Sequence, residues 1–325
     1  MSSRDSARAT GESARASSES ARASSESARA SSVLRRHAVG ADNARRLLLT
    51  VMGEFVLPNG GMAWTQTFLE VLSRFDIEQG TVRQALARSA AAGWIEADRV
   101  GRRTRWRLTP AGEQLLVEGT ERIYGFTGYA GSWDGRWLIV LASVPETDRS
   151  GRHLLRTGLS RSGLGSPSPG IWIGTNTSRL HSVEDVLSRT GVTNTAQVFV
   201  AEHRGAMPVA SIMAQAWDLR GIEAEYEAFI DQFRSGAATD PLVRVIELVH
   251  AWRRFPWRDP SLPAELLPSG WKGVEAAQLF QDLHQRWAGA ATKEWLRISC
   301  SFDQPALTAT TGPFSATHTK HPPRN

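Results

Sequence analysis

A chain of 325 residues that is 41% hydrophobic is long enough for two or three domains, and no apolar run approaches the roughly 18 residues that a membrane span needs. One cysteine, Cys300, leaves no intramolecular disulfide and no cysteine-based metal cluster, so a soluble protein of the reducing cytoplasm is expected. The formal net charge is +5, and nearly all of the 38 basic residues are arginine.

Residues 7–32 repeat with a period of seven, ARATGES and then ARASSES. Nothing larger than alanine fills an a or d position, so residues 1–40 are expected to be a disordered tail rather than a coiled coil. Order is expected from about Ala41. Ala44, Leu47, Leu48, Val51 and Phe55 give a first amphipathic helix, with Gly53 close to its end. Pro58-Asn59-Gly60-Gly61 reads as a turn and Met62–Trp64 as a short strand. Thr65 is placed as the cap of a second helix to about Phe75, burying Phe68, Leu69, Leu72 and Phe75.

The stretch from Asp76 to Arg107 carries the charge. From Gln79 on, seven arginines oppose only Glu96 and Asp98, an excess equal to the +5 of the whole chain. Val82, Ala85, Leu86 and Ser89 form a buried helical stripe, and Asp76 followed by Gln79 is a plausible capping pair. The opposite face carries Gln79, Thr81, Arg83, Gln84 and Arg88, side chains that hydrogen-bond base edges and phosphates. Gly93 ends the helix. Trp94 and Ile95 begin a strand that returns from Thr104 to Leu108 through the cationic turn Val100-Gly101-Arg102-Arg103. A helix followed by a basic hairpin is the shape of a winged helix-turn-helix, expected over 41–125. The helix residues above and Arg102, Arg103 and Arg105 are its candidate contacts to double-stranded DNA. Thr109-Pro110 then opens a helix with Leu115, Leu116 and Ile123 as its packing face.

Over 126–208, strands at Trp137–Val144, Ile171–Ile173 and Gln197–Ala201 alternate with helices at Arg149–Leu159 and Val183–Arg189, with a Gly/Ser/Pro loop at Gly163–Gly170. That pattern predicts a small ferredoxin-like α+β unit. Over 209–300 the chain turns helical. Leu219, Ile222, Tyr226, Phe229, Ile230 and Phe233 share one face, as do Leu242, Val245, Ile246, Val249 and Trp252. Four prolines from Pro256 to Pro268 interrupt before a last helix from Trp271 to about Trp287, and a tail is expected over 301–325.

TVRQALARSAAAGWIEADRVGRRTRWRLTPAG resembles the DNA-binding domain of the PaaX family of bacterial repressors. WDGRWLIVLASVPE and PGIWIG resemble its central domain, and AWDLRGIEAEYEAFIDQF with PLVRVIELVHAWRRFPWRDPSLPAELLPSGWKG its C-terminal domain. The resemblance implies a homodimeric repressor of catabolic genes, released from operator DNA by an aryl-CoA or acyl-CoA effector such as phenylacetyl-CoA. Trp217, His250, Arg253, Arg254 and Arg258 are the candidate effector residues. The arginines interleaved with Trp252, Phe255 and Trp257 fit an anion site with aromatic walls, or stacking on the tryptophans at a domain or dimer interface, which the residues by themselves favour. His250 is either a ligand contact or a hydrogen-bonded structural histidine, and Tyr226 reads as core.

The family's central domain resembles Cas2, which raises a metal-dependent nuclease as the alternative. The end of its first strand reads Ala142-Ser143-Val144-Pro145, with Glu146 only after the proline, which favours a scaffold. The sequence shows no P-loop, dinucleotide fingerprint, metal-spaced His/Cys set or ordered Ser/His/Asp triad, so neither an enzyme nor a cofactor is expected.

Overall fold

The computed structural model describes residues 43–129, 131–235 and 239–303. The heptad repeats and the expected tails lie outside these residues, apart from 301–303, which end the last helix. Among the described residues no helix is long and apolar enough to cross a membrane.

The first helix, α1 (residues 43–51), changes its winding just before Gly53. It runs on through a π-helical segment, Met52–Val56, and a 3-10 turn, Leu57–Asn59. The continuation buries Met52, Phe55 and Val56. The turn falls on Gly60 and Gly61, at φ 91° and 69°.

Strand β1 (Met62–Trp64) leads directly into α2 (Thr65–Ser73), which buries Phe68, Leu69 and Leu72; the helix ends before Phe75, which is half-buried in the turn that follows. Thr65 does not cap this helix. Its hydroxyl donates to Thr104 O at 3.0 Å and accepts from Trp106 Nε1 at 2.9 Å, fastening α2 to the sheet. Asp76 does not cap the next helix either. It sits at φ 56° in the bend, a left-handed position that aspartate tolerates better than most residues, and α3 (Gln79–Ala91) starts after Glu78.

Helix α3 closes as its glycine predicts. Gly93, at φ 75°, donates to Ala90 O, and Trp94 N reaches Ser89 O at 3.1 Å, the two bonds of a Schellman motif. Strands β2 (Ile95–Val100) and β3 (Arg103–Leu108) form an antiparallel hairpin whose two-residue tip is Gly101-Arg102, and β1 adds on the far side of β3. Thr109 Oγ1 accepts from Gly112 N at 3.1 Å to cap α4 (Pro110–Tyr124). Leu116 and Ile123 face inward, but Leu115 is 39% exposed, because the turn beside it packs through Gly112 rather than through a large side chain.

The central unit runs β4 (Arg136–Leu141), α5 (Arg149–Arg161), β5 (Gly165–Ser168), β6 (Ile171–Gly174), α6 (Leu180–Arg189) and β7 (Gln197–Glu202). Its antiparallel sheet has the order β5-β6-β4-β7, the split β-α-β-β-α-β arrangement of ferredoxin-like domains. Strand β5 lies inside the stretch read as a loop. Its Gly, Ser and Pro composition is tolerated because it is an edge strand, where a missing N–H costs no ladder bond. Leu138 and Val140 bury one face of the sheet with Leu155, Leu159, Val183 and Leu187 of the two helices. Trp137 and Ile173 belong instead to the other core.

The remaining helices are α7 (Val209–Ala216), α8 (Leu219–Ser235), α9 (Pro241–Trp252), the single turn α10 (Phe255–Arg258) and α11 (Lys272–Asp303). Helix α11 does not end near Trp287. It continues to Asp303 because Ala291, Trp295 and Ile298 pack onto the N-terminal unit, a gain that outweighs the helix cost of Gly289. As a result the N-terminal and C-terminal units share one hydrophobic core, and the central unit keeps a second.

Candidate nucleic-acid interface and effector residues

The amphipathic spacing of α3 fixes what it shows. Val82, Ala85, Leu86 and Ser89 are buried, and Ser89 Oγ donates to Ala85 O at 2.9 Å, so no polar atom of the inner face is left over. Gln79, Arg83, Gln84 and Arg88 are exposed on the outer face, and Thr81 is half-buried beside them. Arg83 Nη1 donates to Gln79 Oε1 at 3.4 Å, aligning both side chains one turn apart. No described part of the chain covers this face.

The hairpin tip presents Arg102 and Arg103, both exposed. Arg103 Nη1 donates to Phe302 O at 2.7 Å, so the end of α11 braces the base of the tip. Arg105 stands apart from the other candidates. It is half-buried, paired with Asp98 at 2.5 Å and lying 5.6 Å from the Trp64 ring centre, so it joins β3 to β2 and β1. Arg99, one of the seven arginines but not among the candidate contacts, is exposed one pair from the tip, opposite Thr104. Its alternation with Asp98 along β2 was the available signal.

Helix α4 ties this surface to the rest of the molecule. At its N-terminal end Thr109 N donates to Trp94 O at 3.0 Å and Thr109 Oγ1 to Gly93 O at 2.6 Å, gripping the turn after α3. At its other end Tyr124 donates to Glu54 Oε2, His284 Nε2 lies 2.6 Å from Glu54 Oε1, and Trp252 Nε1 donates to Ile123 O at 3.1 Å. Burial, with Glu54 beside it, pushes the Tyr124 phenol well above its ordinary range.

The five candidate effector residues do not converge. His250 and Arg253 turn toward α1: Arg253 Nη1 donates to Arg46 O at 2.7 Å and Thr50 Oγ1 at 3.2 Å, and His250 Nδ1 lies 3.5 Å from Thr50 Oγ1. Arg254 and Arg258 both address Glu225, at 3.8 and 2.6 Å. Only Trp217 and Arg258 line the cavity between the central and C-terminal units. The helix turn carrying three arginines within six residues fans them outward, so proximity in sequence did not become proximity in space. Of the two readings of the aromatic cluster, stacking at an interface is the one realised at Trp257. Arg122 of α4 lies 4.0 Å from its ring centre and Arg161 of α5 5.5 Å, so one exposed tryptophan meets all three units. Tyr226 is core, its hydroxyl donating to buried Asp259 at 2.6 Å.

Burial, then Arg253, Arg46 and Arg254, lowers the His250 pKa to about 4. The folded state therefore binds this proton less readily than the unfolded chain, and the stability it contributes at neutral pH is lost as pH falls from about 6.5 to about 4. The loss is expected to reach up to about 3 kcal/mol. Urea unfolding at pH 7 and pH 4.5 checks this: the His250→Gln chain should show a smaller drop between the two than the natural chain.

Three family models match in order along the chain: PaaX-like protein over 43–112, the PaaX protein central Cas2-like domain over 130–213, and the PaaX-like protein C-terminal domain over 217–297. Transcriptional repressor PaaX of Escherichia coli (strain K12) is 30% identical over 278 residues, covering 79% of this chain and 84% of the relative. An uncharacterised Mycobacterium tuberculosis protein, Rv0674, superposes with a TM-score of 0.55 at 23% identity, covering 78% of this chain and 98% of that one, which supports the fold. With three consecutive domain matches and that identity over most of both sequences, the chain belongs to the PaaX family.

Proposed function

We propose that this chain is a DNA-binding transcriptional repressor in which residues 43–124 work as a winged helix-turn-helix. Helix α3 enters the major groove of double-stranded operator DNA, and the β2–β3 tip lies against the phosphate backbone. The observation that carries the reading is the outer face of α3, with Gln79, Arg83, Gln84 and Arg88 uncovered beside exposed Arg102, in a relative of Transcriptional repressor PaaX. The molecule acts as a homodimer, whose symmetry would be mirrored by half-sites about one helical turn or a multiple apart. An acyl-CoA or aryl-CoA effector such as phenylacetyl-CoA releases the DNA by binding the free conformation more tightly than the bound one.

Mobility shift on duplex operator variants tests the division of labour. Arg83→Ala or Gln84→Ala is expected to cost about 1–3 kcal/mol on the preferred sequence and to flatten discrimination between sequences. Arg102→Ala is expected to weaken all sequences alike and to lower the salt slope by about 0.9. Equal losses on every variant from both kinds of substitution would refute the assignment. Running the same reactions with Mg²⁺ or Mn²⁺ tests the nuclease alternative, which requires cleaved DNA.

A further inference from the structure

The last turn of α11 belongs by sequence to the C-terminal unit but ends at the β2–β3 hairpin. Trp295, Ile298 and Phe302 fall at spacings of three and four, so one face of the helix stays on the shared core to its end, with Trp295 and Ile298 buried and Phe302 half-buried against it. At 1.5 Å per residue, 32 residues span about 48 Å. The first half of the helix packs Phe280 on Trp252, with ring centres 4.9 Å apart, and the far end stands beside β1.

Two polar contacts join that turn to the sheet. Phe302 O accepts from Arg103 Nη1 at 2.7 Å, and Asp303 Oδ1 accepts from Nε1 of the buried Trp64 indole. From Trp64 the contacts run on across the strands. Trp64 is registered opposite Arg105 on β3, whose guanidinium lies over the indole ring, and Arg105 pairs with Asp98 on β2. The row Asp303, Trp64, Arg105, Asp98 thus crosses the sheet from α11 through β1 and β3 to its other edge at β2. A two-stranded hairpin has little packing of its own, so the direction of its tip is set by what holds its flanks. A guanidinium that is already fixed gives up less freedom when it meets a phosphate.

We propose, on the winged-helix reading above, that Asp303 is a positioning residue for DNA binding: the last turn of α11 holds the hairpin at the angle at which Arg102 and Arg103 reach the phosphate backbone, so the C-terminal unit completes the DNA-binding surface. Asp303→Ala and Asp303→Asn in the full chain separate geometry from charge, because both remove the carboxylate charge but only asparagine keeps an oxygen for the Trp64 N–H. Fluorescence anisotropy of labelled operator duplexes over a salt series is the measurement, with thermal unfolding alongside to show that both chains are folded and Arg102→Ala as the reference. Asp303→Ala is expected to bind every duplex about 10-fold more weakly than Asp303→Asn, with a salt slope lower by up to about 0.9. Equal or tighter binding by Asp303→Ala, beside an Arg102→Ala chain that does lose slope, would overturn the role of Asp303 and leave the winged-helix reading standing. An unchanged slope in Arg102→Ala would overturn that reading and this role with it. A loss in Asp303→Ala confined to one duplex sequence would also overturn the role, since a phosphate contact carries no sequence information.

Discussion

Trp295→Ala is expected to lower the stability of the N-terminal and C-terminal units together by about 3–5 kcal/mol, the cost of emptying a fully buried tryptophan site. Trp295 is 1% exposed near the end of a 32-residue helix, yet its partners come from the other end of the chain. It stacks on Phe55 at 5.4 Å and meets Phe68 edge-on at 6.4 Å. Beside it Arg74 of the N-terminal unit binds Asp240 at 2.7 Å and Glu294 at 2.8 Å, so polar contacts close the same seam. If the units share one core, urea unfolding followed by tryptophan fluorescence and by far-UV circular dichroism should give coincident transitions, both moved to lower denaturant. A transition confined to the C-terminal helices, with operator binding retained, would show that the N-terminal unit folds on its own.

The second large effect falls on a glycine. A Cβ built on Gly112 would lie 1.9 Å from Trp94 O and 2.8 Å from Trp94 C, and both are backbone atoms of the turn that closes α3. No side chain can move aside, so Gly112→Ala must lift α4 off that turn and break the bonds from Thr109 to Trp94 and Gly93. This is overpacking at its upper limit, expected to cost about 3 kcal/mol or more. On the proposed reading operator affinity should fall with it, because these bonds set α3 relative to the hairpin. Gly119 is the control on the same helix. Nothing lies within 4 Å of its added Cβ, so Gly119→Ala is expected to raise stability by up to about 1 kcal/mol. Thermal unfolding and mobility shift of the two chains check the pair, and similar behaviour of both would remove the claim that Gly112 is a contact point.

Both expectations come from contacts that no window of sequence contains. What the sequence did contain was local: the stripe of Val82, Ala85, Leu86 and Ser89, the Gly93 stop, the Thr109-Pro110 start, and the alternation of strands and helices in the central unit. Each is governed by bonds or packing within a few residues, so periodicity and cap chemistry were sufficient to read it. The outward set on α3 followed from the same stripe, since a helix that buries one face must show the other. Thr65, Asp76 and the last helix were misread because their fate depended on distant partners. The Thr65 hydroxyl was taken by Thr104 and Trp106, Asp76 bent the chain to let α3 cross α2, and Trp295 carried its helix past Gly289 for a seat against Phe55.

The candidate sites divide along the same line. The amino-acid sequence alone determined that a cationic helix and hairpin exist, because charge and hydrophobic spacing are properties of neighbouring residues. Only the tertiary structure decided that His250 and Arg253 face α1, that Arg105 is spent on Asp98, and that Arg254 and Arg258 turn to Glu225. The physical reason is that a guanidinium group reads alike in sequence whether it ends against a carbonyl, a carboxylate or open space, and long-range packing chooses among them.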